Sequence, residues 1–194
     1  MDQLLPRDEV YFVVDSHHIS RTRSIFGHEE QPAERVVIVG GGSIGFQLAQ
    51  GLEKREPSIN VKLIESNKER AEFVADQLDR TIVIGGDALD SEILKEASVP
   101  TAETIIAVSD DDEVNILASV LAKRYGCLRA VALINETTYA PLISPLGIDT
   151  AISPRDITVS RILEHIRRGR IHSVHTLQGG NAEVIEVDAM ESAP

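Results

Sequence analysis

The sequence has 194 residues, of which 42% are hydrophobic, 26% charged and 4% aromatic. This apolar share is sufficient for a packed core, so wholesale disorder is excluded. The 19 basic and 31 acidic residues give a formal net charge of −12, which disfavours a dedicated nucleic-acid-binding protein because neutralising phosphates needs a positive field. The length fits one domain of about 140 residues with a smaller addition, and is too short for a dehydrogenase with separate nucleotide and substrate domains.

The sequence shows no pattern typical of membrane insertion or export. No apolar run approaches the roughly 18 residues that a membrane span needs, and no signal peptide opens the chain. Cys127 is the single cysteine. It has no partner for an internal disulfide, which favours a reducing cytoplasm, and we interpret it as a buried, unreactive thiol.

The first 34 residues do not predict a domain of their own. Residues 8–14 are rich in β-branched and aromatic side chains and predict a strand, and a short helix is predicted to end near Phe26. Residues 27–34 are polar, contain glycine and proline, and are typical of a linker. We expect this segment to be the end of a preceding domain or an arm that docks on a partner.

From Arg35 onward, short apolar runs alternate with amphipathic stretches. Strands are predicted at 36–39, 61–64, 81–84, 104–108, 130–134 and 150–152, and helices near 44–55, 68–78, 90–97, 113–125 and 138–146. The helix from Glu113 is expected to bury Val114, Leu117, Ala118, Leu121 and Ala122 on one face. Because strand and helix alternate six times, we predict a doubly wound parallel α/β sheet over residues 35–153.

A longer helix and a hairpin are predicted after this sheet. The helix spans 156–168, has an apolar stripe that includes Ile157 and Ile162, and ends at Gly169. Strands at 171–177 and 183–187 flank a Gly-Gly-Asn sequence that is typical of a tight turn. Two strands make an incomplete domain, so we expect the domain at this end of the chain to be truncated, like the one at the beginning.

The clearest chemical signal is the sequence GGGSIG, a G-x-G-x-x-G pattern between the first strand and the first helix. Gly40 permits a tight turn, Gly42 lets the backbone approach a pyrophosphate, and Gly45 allows close packing of helix and strand. Glu65 ends the second strand, where an acid binds ribose hydroxyls and disfavours a 2′-phosphate, which favours NAD or an adenosine nucleotide over NADP. The alternative is a glycine turn that binds nothing, with Glu65 a surface residue.

Acidic residues also follow the third and fourth strands. Asp87 is predicted either to border a bound adenine or to cap the next helix, and these alternatives stay open. The run DDDE at 110–113 suggests a metal, but acids in the first turn of a helix are stabilised by its dipole and no second ligand cluster accompanies them. We therefore predict no metal site.

The sequence lacks a recognisable set of catalytic residues. His165, His172 and His175 lie beyond the predicted sheet, and on a strand the last two point to opposite faces. A hydride-transfer enzyme needs an acid or base and a substrate pocket, usually from a second domain. We predict no enzymatic activity, and an NAD-dependent oxidoreductase fragment is the alternative.

These stretches together resemble the RCK (or KTN) domain over about residues 35–187. The most specific parts are the GGD after the third strand, the sequence SDDDEVN after the fourth, and the segments AISP and HIRRG near the longer helix. Within that family they are similar to regulatory subunits of Trk-type potassium uptake. The resemblance implies a Rossmann-like domain at 35–153, preceded at 1–34 by the tail of another unit's small α+β RCK C-terminal subdomain and a linker. A crossover helix at 154–169 and the truncated start of a second such subdomain at 170–194 would follow.

The resemblance also implies a function. Members of the family are non-enzymatic cytoplasmic gates that form homo-oligomeric rings beneath a potassium-translocating membrane subunit and bind NAD(H), ATP or ADP. By motif match the phosphates would be held by Gly40, Gly42, Ser43, Ile44 and Gly45, the ribose by Glu65, and the adenine side bordered by Asp87, Ser109 and Asp110. The apolar faces of the helices at 138–146 and 156–168 are candidate dimer surfaces, with ordinary core packing as the alternative. A further hypothesis is a self-associating scaffold whose nucleotide site is vacant.

Overall fold

The computed structural model describes residues 14, 15, 18, 33–166, 171–177 and 182–187, with the backbone alone for 163–166 and for the last two segments. Internal contacts divide the chain into two units, Met1–Pro32 and Ala33–Pro194. The strand and helix predicted before residue 27 lie almost wholly outside the described residues, as do Gly169 and the turn at 178–181.

Strands and helices alternate through residues 33–166, as predicted. The strands are β1 (Arg35–Val39), β2 (Asn60–Glu65), β3 (Ile82–Gly85), β4 (Thr104–Ala107), β5 (Arg129–Leu133) and β6 (Thr150–Ile152). The helices are α1 (Ser43–Arg55), α2 (Lys68–Gln77), α3 (Ser91–Glu96), α4 (Asp112–Tyr125), α5 (Ala140–Ile143) and α6 (Pro154–Ile166), with 3₁₀ turns at Val99–Thr101 and Thr137–Tyr139. Strands β7 (Ile171–Leu177) and β8 (Ala182–Val187) form an antiparallel pair, as predicted.

The first six strands form one parallel sheet in the order β3-β2-β1-β4-β5-β6. This order confirms the doubly wound, Rossmann-like fold predicted from the sequence. The chain leaves β1 and its neighbour β4 in opposite directions, so the loops after these two strands diverge. A crevice therefore opens at the carboxyl edge of the sheet, where this class of fold binds its ligands.

Alternate residues of β1 are buried on opposite faces of the sheet. Val37 and Val39 pack in one apolar cluster with residues of β4, β5 and α4, and Val36 and Ile38 pack in a second with residues of α1 and α2. Burying one large aliphatic side chain contributes about 1.5–3 kcal/mol, so this two-sided packing fixes where β1 ends. The position of the glycine turn that follows β1 is therefore fixed as well.

Two of the helix predictions differ from the structure, one in the extent of the helix and one in which side chains it buries. The helix predicted at 138–146 is a 3₁₀ turn followed by the four-residue α5, because Pro141 has no backbone N–H to continue a helix from the preceding turn. In α4 the prediction that Leu117 is buried is wrong: its side chain is 49% exposed. The buried face of α4 instead includes the polar residues Asn115 and Ser119.

Two side chains of the apolar stripe of α6 are exposed in the described part of that helix. Ile157 and Ile162 are 55% and 53% exposed, so core packing is the wrong alternative for these two residues. Among the residues that the structure describes, no helix is long and apolar enough to cross a membrane.

Candidate nucleotide-binding site

A cleft of about 550 Å³ lies at the carboxyl edge of the sheet, over the ends of β1, β2, β3 and β4. The predicted site residues that line it are Gly40, Gly42, Glu65, Asp87, Ser109 and Asp110. The remaining three, Ser43, Ile44 and Gly45, lie in the first turn of α1 and are not part of the lining. Sequence reasoning missed Asn67 and Arg70, which line the same cleft from the start of α2.

Two glycines of the turn are required by the backbone geometry. Gly40 has a φ of +99°, and a Cβ there would lie 2.8 Å from the backbone of Ser109. A Cβ on Gly45 would lie 1.9 Å from the carbonyl oxygen of Gly40. No atom lies within 4 Å of a Cβ built on Gly42. Gly40 and Gly45 are therefore needed for the fold, whereas Gly42 leaves open space beside the cleft.

Helix α1 begins without a side-chain cap. Its N-cap is Gly42, and no acidic residue lies in its first turn. By contrast the N-caps of α2, α3 and α4 are Asn67, Asp90 and Asp111, and each of these side chains accepts a backbone N–H of its helix. The first amides of a helix have no acceptor within it, and its N-terminus carries a partial positive charge. The start of α1 is thus suited to a phosphate group.

Glu65 is joined to the glycine turn through its carboxylate. Its Oε2 accepts the N–H of Gly41 at 2.6 Å, and its Oε1 accepts the N–H of Asn67 at 2.8 Å. A carboxylate oxygen accepts two hydrogen bonds, and Oε1 also accepts the hydroxyl of Ser66 at 3.5 Å, so it is Oε2 that retains a lone pair for a donor such as a ribose hydroxyl. The ribose-binding candidate and the phosphate-binding candidate are therefore parts of one hydrogen-bonded unit.

Asp87 closes the loop between β3 and α3. Its Oδ1 accepts the N–H of Leu89 at 2.9 Å, whereas α3 itself is capped by Asp90. Asp87 is exposed and lines the cleft. Its position therefore combines a local turn contact with a place at the border of the cleft.

Ser109 is held by a buried asparagine. Its N–H and its Oγ each donate to Oδ1 of Asn115 at 2.8 Å. The Nδ2 of Asn115 donates to the carbonyl oxygens of Ser109 and Leu133, both at 3.0 Å. Asn115 is fully buried, so its amide fixes the ends of β4 and β5 to each other beside the cleft.

The acidic run after Ser109 has separate protein contacts. Asp111 caps α4, and Asp112 accepts the backbone N–H groups of residues 135 and 136 at 2.8 Å. Glu113 accepts the hydroxyl of Tyr139, and this hydrogen bond raises the pKa of that tyrosine. Asp110 is the member of the run that lines the cleft. Within the described part of the chain, no group of three or more histidine, cysteine or acidic side chains is arranged to hold a metal.

The cysteine lies away from the cleft. Cys127 is buried, its Sγ lies 3.3 Å from the carbonyl oxygen of Arg129, and burial raises the pKa of its thiol. The side chains of His165, His172 and His175 lie outside the described residues.

Comparisons with known proteins match residues 36–154, more than half of the chain, to the TrkA-N domain. The Trk system potassium uptake protein TrkA of Azorhizobium caulinodans is 50% identical over 193 residues, which cover 100% of this chain and 42% of that protein. The chain thus spans less than half the length of this curated relative.

Solved structures show the same fold. The TrkA-N domain of the inner membrane protein ybaL from Escherichia coli has a TM-score of 0.62 and 16% identity, and the match covers 71% of this chain and 100% of that one. The GsuK channel bound to NAD has a TM-score of 0.60 and 19% identity, over 77% of this chain and 26% of the channel. From the match over residues 36–154, the chain belongs to the TrkA-N domain family.

Proposed function

We propose that this chain is the nucleotide-sensing part of a regulatory subunit of Trk-type potassium uptake, and that it binds NAD(H) or ATP/ADP in the cleft. The observation that carries the proposal is the bond between Glu65 and the N–H of Gly41, because it joins a ribose acceptor to the uncapped start of α1. The potassium-uptake name of the relative and the NAD of the GsuK channel support the transport context and the ligand class.

The proposed roles follow the cleft from phosphate to adenine. The phosphates are held by the turn and the first amides of α1, at Gly40, Gly42, Ser43, Ile44 and Gly45. Glu65 binds the ribose hydroxyls. The adenine side is bordered by Asp87, Ser109 and Asp110, which line the same cleft.

The proposal extends to assembly and location. Exposed apolar side chains support self-association as a dimer within a ring. They include Ile157 and Ile162 on α6, Leu142 on α5 and Leu146 just after it. The ring would lie at the cytoplasmic face of the membrane, on a potassium-translocating subunit. The assigned parts are the end of an RCK subdomain at 1–34, the nucleotide domain at 35–153, the crossover helix at 154–169 and the beginning of a second subdomain at 170–194. The ligand would act by binding one ring conformation more tightly than another.

Calorimetric titration with NAD, NADH, ATP and ADP tests the proposal. Saturable binding of at least one of these ligands, with no turnover of NADH, is the expected result. Absence of binding by all four would overturn the sensor function and leave a scaffold with a vacant site. Turnover of NADH would favour the oxidoreductase alternative, for which the described cleft lining offers neither a histidine nor a cysteine.

A further inference from the structure

Arg70 contacts the glycine turn from the first turn of α2. Its Nε donates to the carbonyl oxygen of Gly41 at 2.6 Å. Its guanidinium carbon lies 4.9 Å from the ring centre of Phe73 and 5.7 Å from that of Phe46. A guanidinium beside two aromatic rings is held by cation–π attraction as well as by its hydrogen bond. The position of Arg70 is therefore fixed on both sides.

The contact acts on a peptide that has little conformational restraint of its own. The carbonyl of Gly41 and the N–H of Gly42 belong to one planar, trans peptide, so they point in opposite directions. Neither flanking residue has a Cβ, and this peptide is free to rotate over a wide range. When Arg70 holds the oxygen, the direction of the Gly42 N–H is fixed too. Glu65 fixes the preceding peptide in the same way through the N–H of Gly41.

We propose that Arg70 is a positioning residue for the nucleotide phosphate, and that it acts by orienting the Gly42 amide through its bond to the Gly41 carbonyl. The proposal rests on the proposed function, since it assigns Arg70 a part in the same site. Lysine does not replace arginine in this role, because it lacks the Nε–H and the planar group that packs on the two rings.

Direct attraction between the Arg70 charge and the phosphate is the competing explanation. Arg70 lines the cleft itself, so the two explanations differ in whether the Gly42 amide depends on Arg70 when no ligand is bound. Phe73 contacts the guanidinium, is half exposed and is not part of the described cleft lining. A change at Phe73 reaches the ligand only through Arg70. Lys68 provides a matched control, because it is an exposed cation two residues away on the same helix whose side chain lies outside this cleft.

The test compares the wild type with Arg70→Met, Phe73→Leu, the double variant and Lys68→Met, each titrated with ADP and with NAD. Thermal unfolding of each variant shows that it is folded. We expect affinity to fall about tenfold in Arg70→Met and about threefold in Phe73→Leu, with the double variant no weaker than Arg70→Met because the two act through one contact. Lys68→Met binds as the wild type. In ¹H–¹⁵N spectra of the unliganded protein, the Gly42 amide signal shifts in Arg70→Met and stays in place in Lys68→Met.

Three results would overturn the proposal: unchanged affinity in Arg70→Met, an equal loss in Lys68→Met, or a loss of affinity in Arg70→Met while the Gly42 amide signal of the unliganded variant stays in place. The last would make Arg70 a direct ligand contact. If the wild type binds neither nucleotide, the proposed function fails on its own. The Gly42 amide signal then still decides whether Arg70 orients the turn, since that measurement needs no ligand.

Discussion

The two edges of the six-stranded sheet use carboxylates in different ways. At the amino edge Glu53, Glu103 and Asp149 accept backbone N–H groups of segments that enter β3, β1 and β5. At the carboxyl edge Glu65 and Asp110 line an open cleft, and Oε2 of Glu65 retains a lone pair beyond its contact with the N–H of Gly41. The same side-chain chemistry therefore fixes the fold at one edge and leaves acceptors for a ligand at the other.

The amino-edge carboxylates are stabilised in their charged form. Burial alone would raise the pKa of Glu53, but hydrogen bonds from Arg80 and Thr81 outweigh it and lower the pKa. Burial would also raise the pKa values of Glu103 and Asp149. The Arg35 and Ala130 backbone N–H groups, together with the charged side chains of Arg35 and Lys123, outweigh it and lower both pKa values. These three groups favour the folded state when ionised.

The largest loss of stability is expected at the carboxyl edge of the sheet, although that edge also carries the candidate ligand site. Gly45→Ala changes a carboxyl-edge residue, yet we expect it to lower the free energy of unfolding by about 3 kcal/mol or more, because its Cβ would overlap the Gly40 carbonyl. Urea unfolding measures the loss. Gly51→Ala in the same helix has open space around its Cβ and is expected to gain up to about 1 kcal/mol. Equal stability of the two variants would contradict the packing argument.

Gly42→Val, also at the carboxyl edge, should affect binding and hardly affect folding. The added side chain meets no protein atom within 4 Å at its Cβ, so we expect the free energy of unfolding to change by at most about 1 kcal/mol. The valine side chain would occupy the place of the phosphate, so the binding of NAD or ADP should weaken by about 2–3 kcal/mol in calorimetric titration. A variant that still binds like the wild type would show that another pocket is used.

Glu53→Gln tests the amino edge of the sheet, as Gly42→Val tests the carboxyl edge. The carboxylate accepts the backbone N–H groups of Arg80 and Thr81 and the hydroxyl of Thr81, at 2.6–2.8 Å. Losing its charge is expected to cost about 1–3 kcal/mol in urea unfolding while nucleotide affinity stays unchanged. A loss of affinity comparable to that of Gly42→Val would remove the distinction between the two edges.

The lowered pKa values predict a pH dependence of stability. A carboxyl group with a lower pKa in the folded state contributes stability that is present above its unfolded pKa and is lost as pH falls through the folded pKa. The free energy of unfolding, measured with urea at acidic pH, should therefore decrease as the pH falls into and below the ordinary pKa range of carboxyl groups. The decline should be shallower in Glu53→Gln, which has one such group fewer. Identical pH profiles would assign the decline to other groups.

Much of this architecture could be predicted from sequence because it depends on local patterns. Continuous apolar runs placed the six strands within one or two residues, and the position of Glu65 after its strand identified an acid at the cleft. The sheet order then brought the ends of four strands together, as expected for alternating strands and helices.

The remaining features depend on contacts between distant segments. Arg70 has no local motif, and its bond to Gly41 exists because β1 and β2 lie side by side in the observed register. The apolar pattern of α4 gave no sign that Asn115 is buried, because that position is decided by the strand-end carbonyls of Ser109 and Leu133.

We propose that the carboxyl-edge cleft binds a ribose-bearing nucleotide through Glu65. Calorimetric titration of NAD and ADP into the wild type, Glu65→Gln and the exposed first-turn control Glu69→Gln tests it directly. Glu65→Gln is expected to weaken binding by about 1–3 kcal/mol, the scale of a lost charge-assisted hydrogen bond, while Glu69→Gln binds like the wild type. Equal affinity of wild type and Glu65→Gln would contradict the claim and make Glu65 a residue of the protein surface alone.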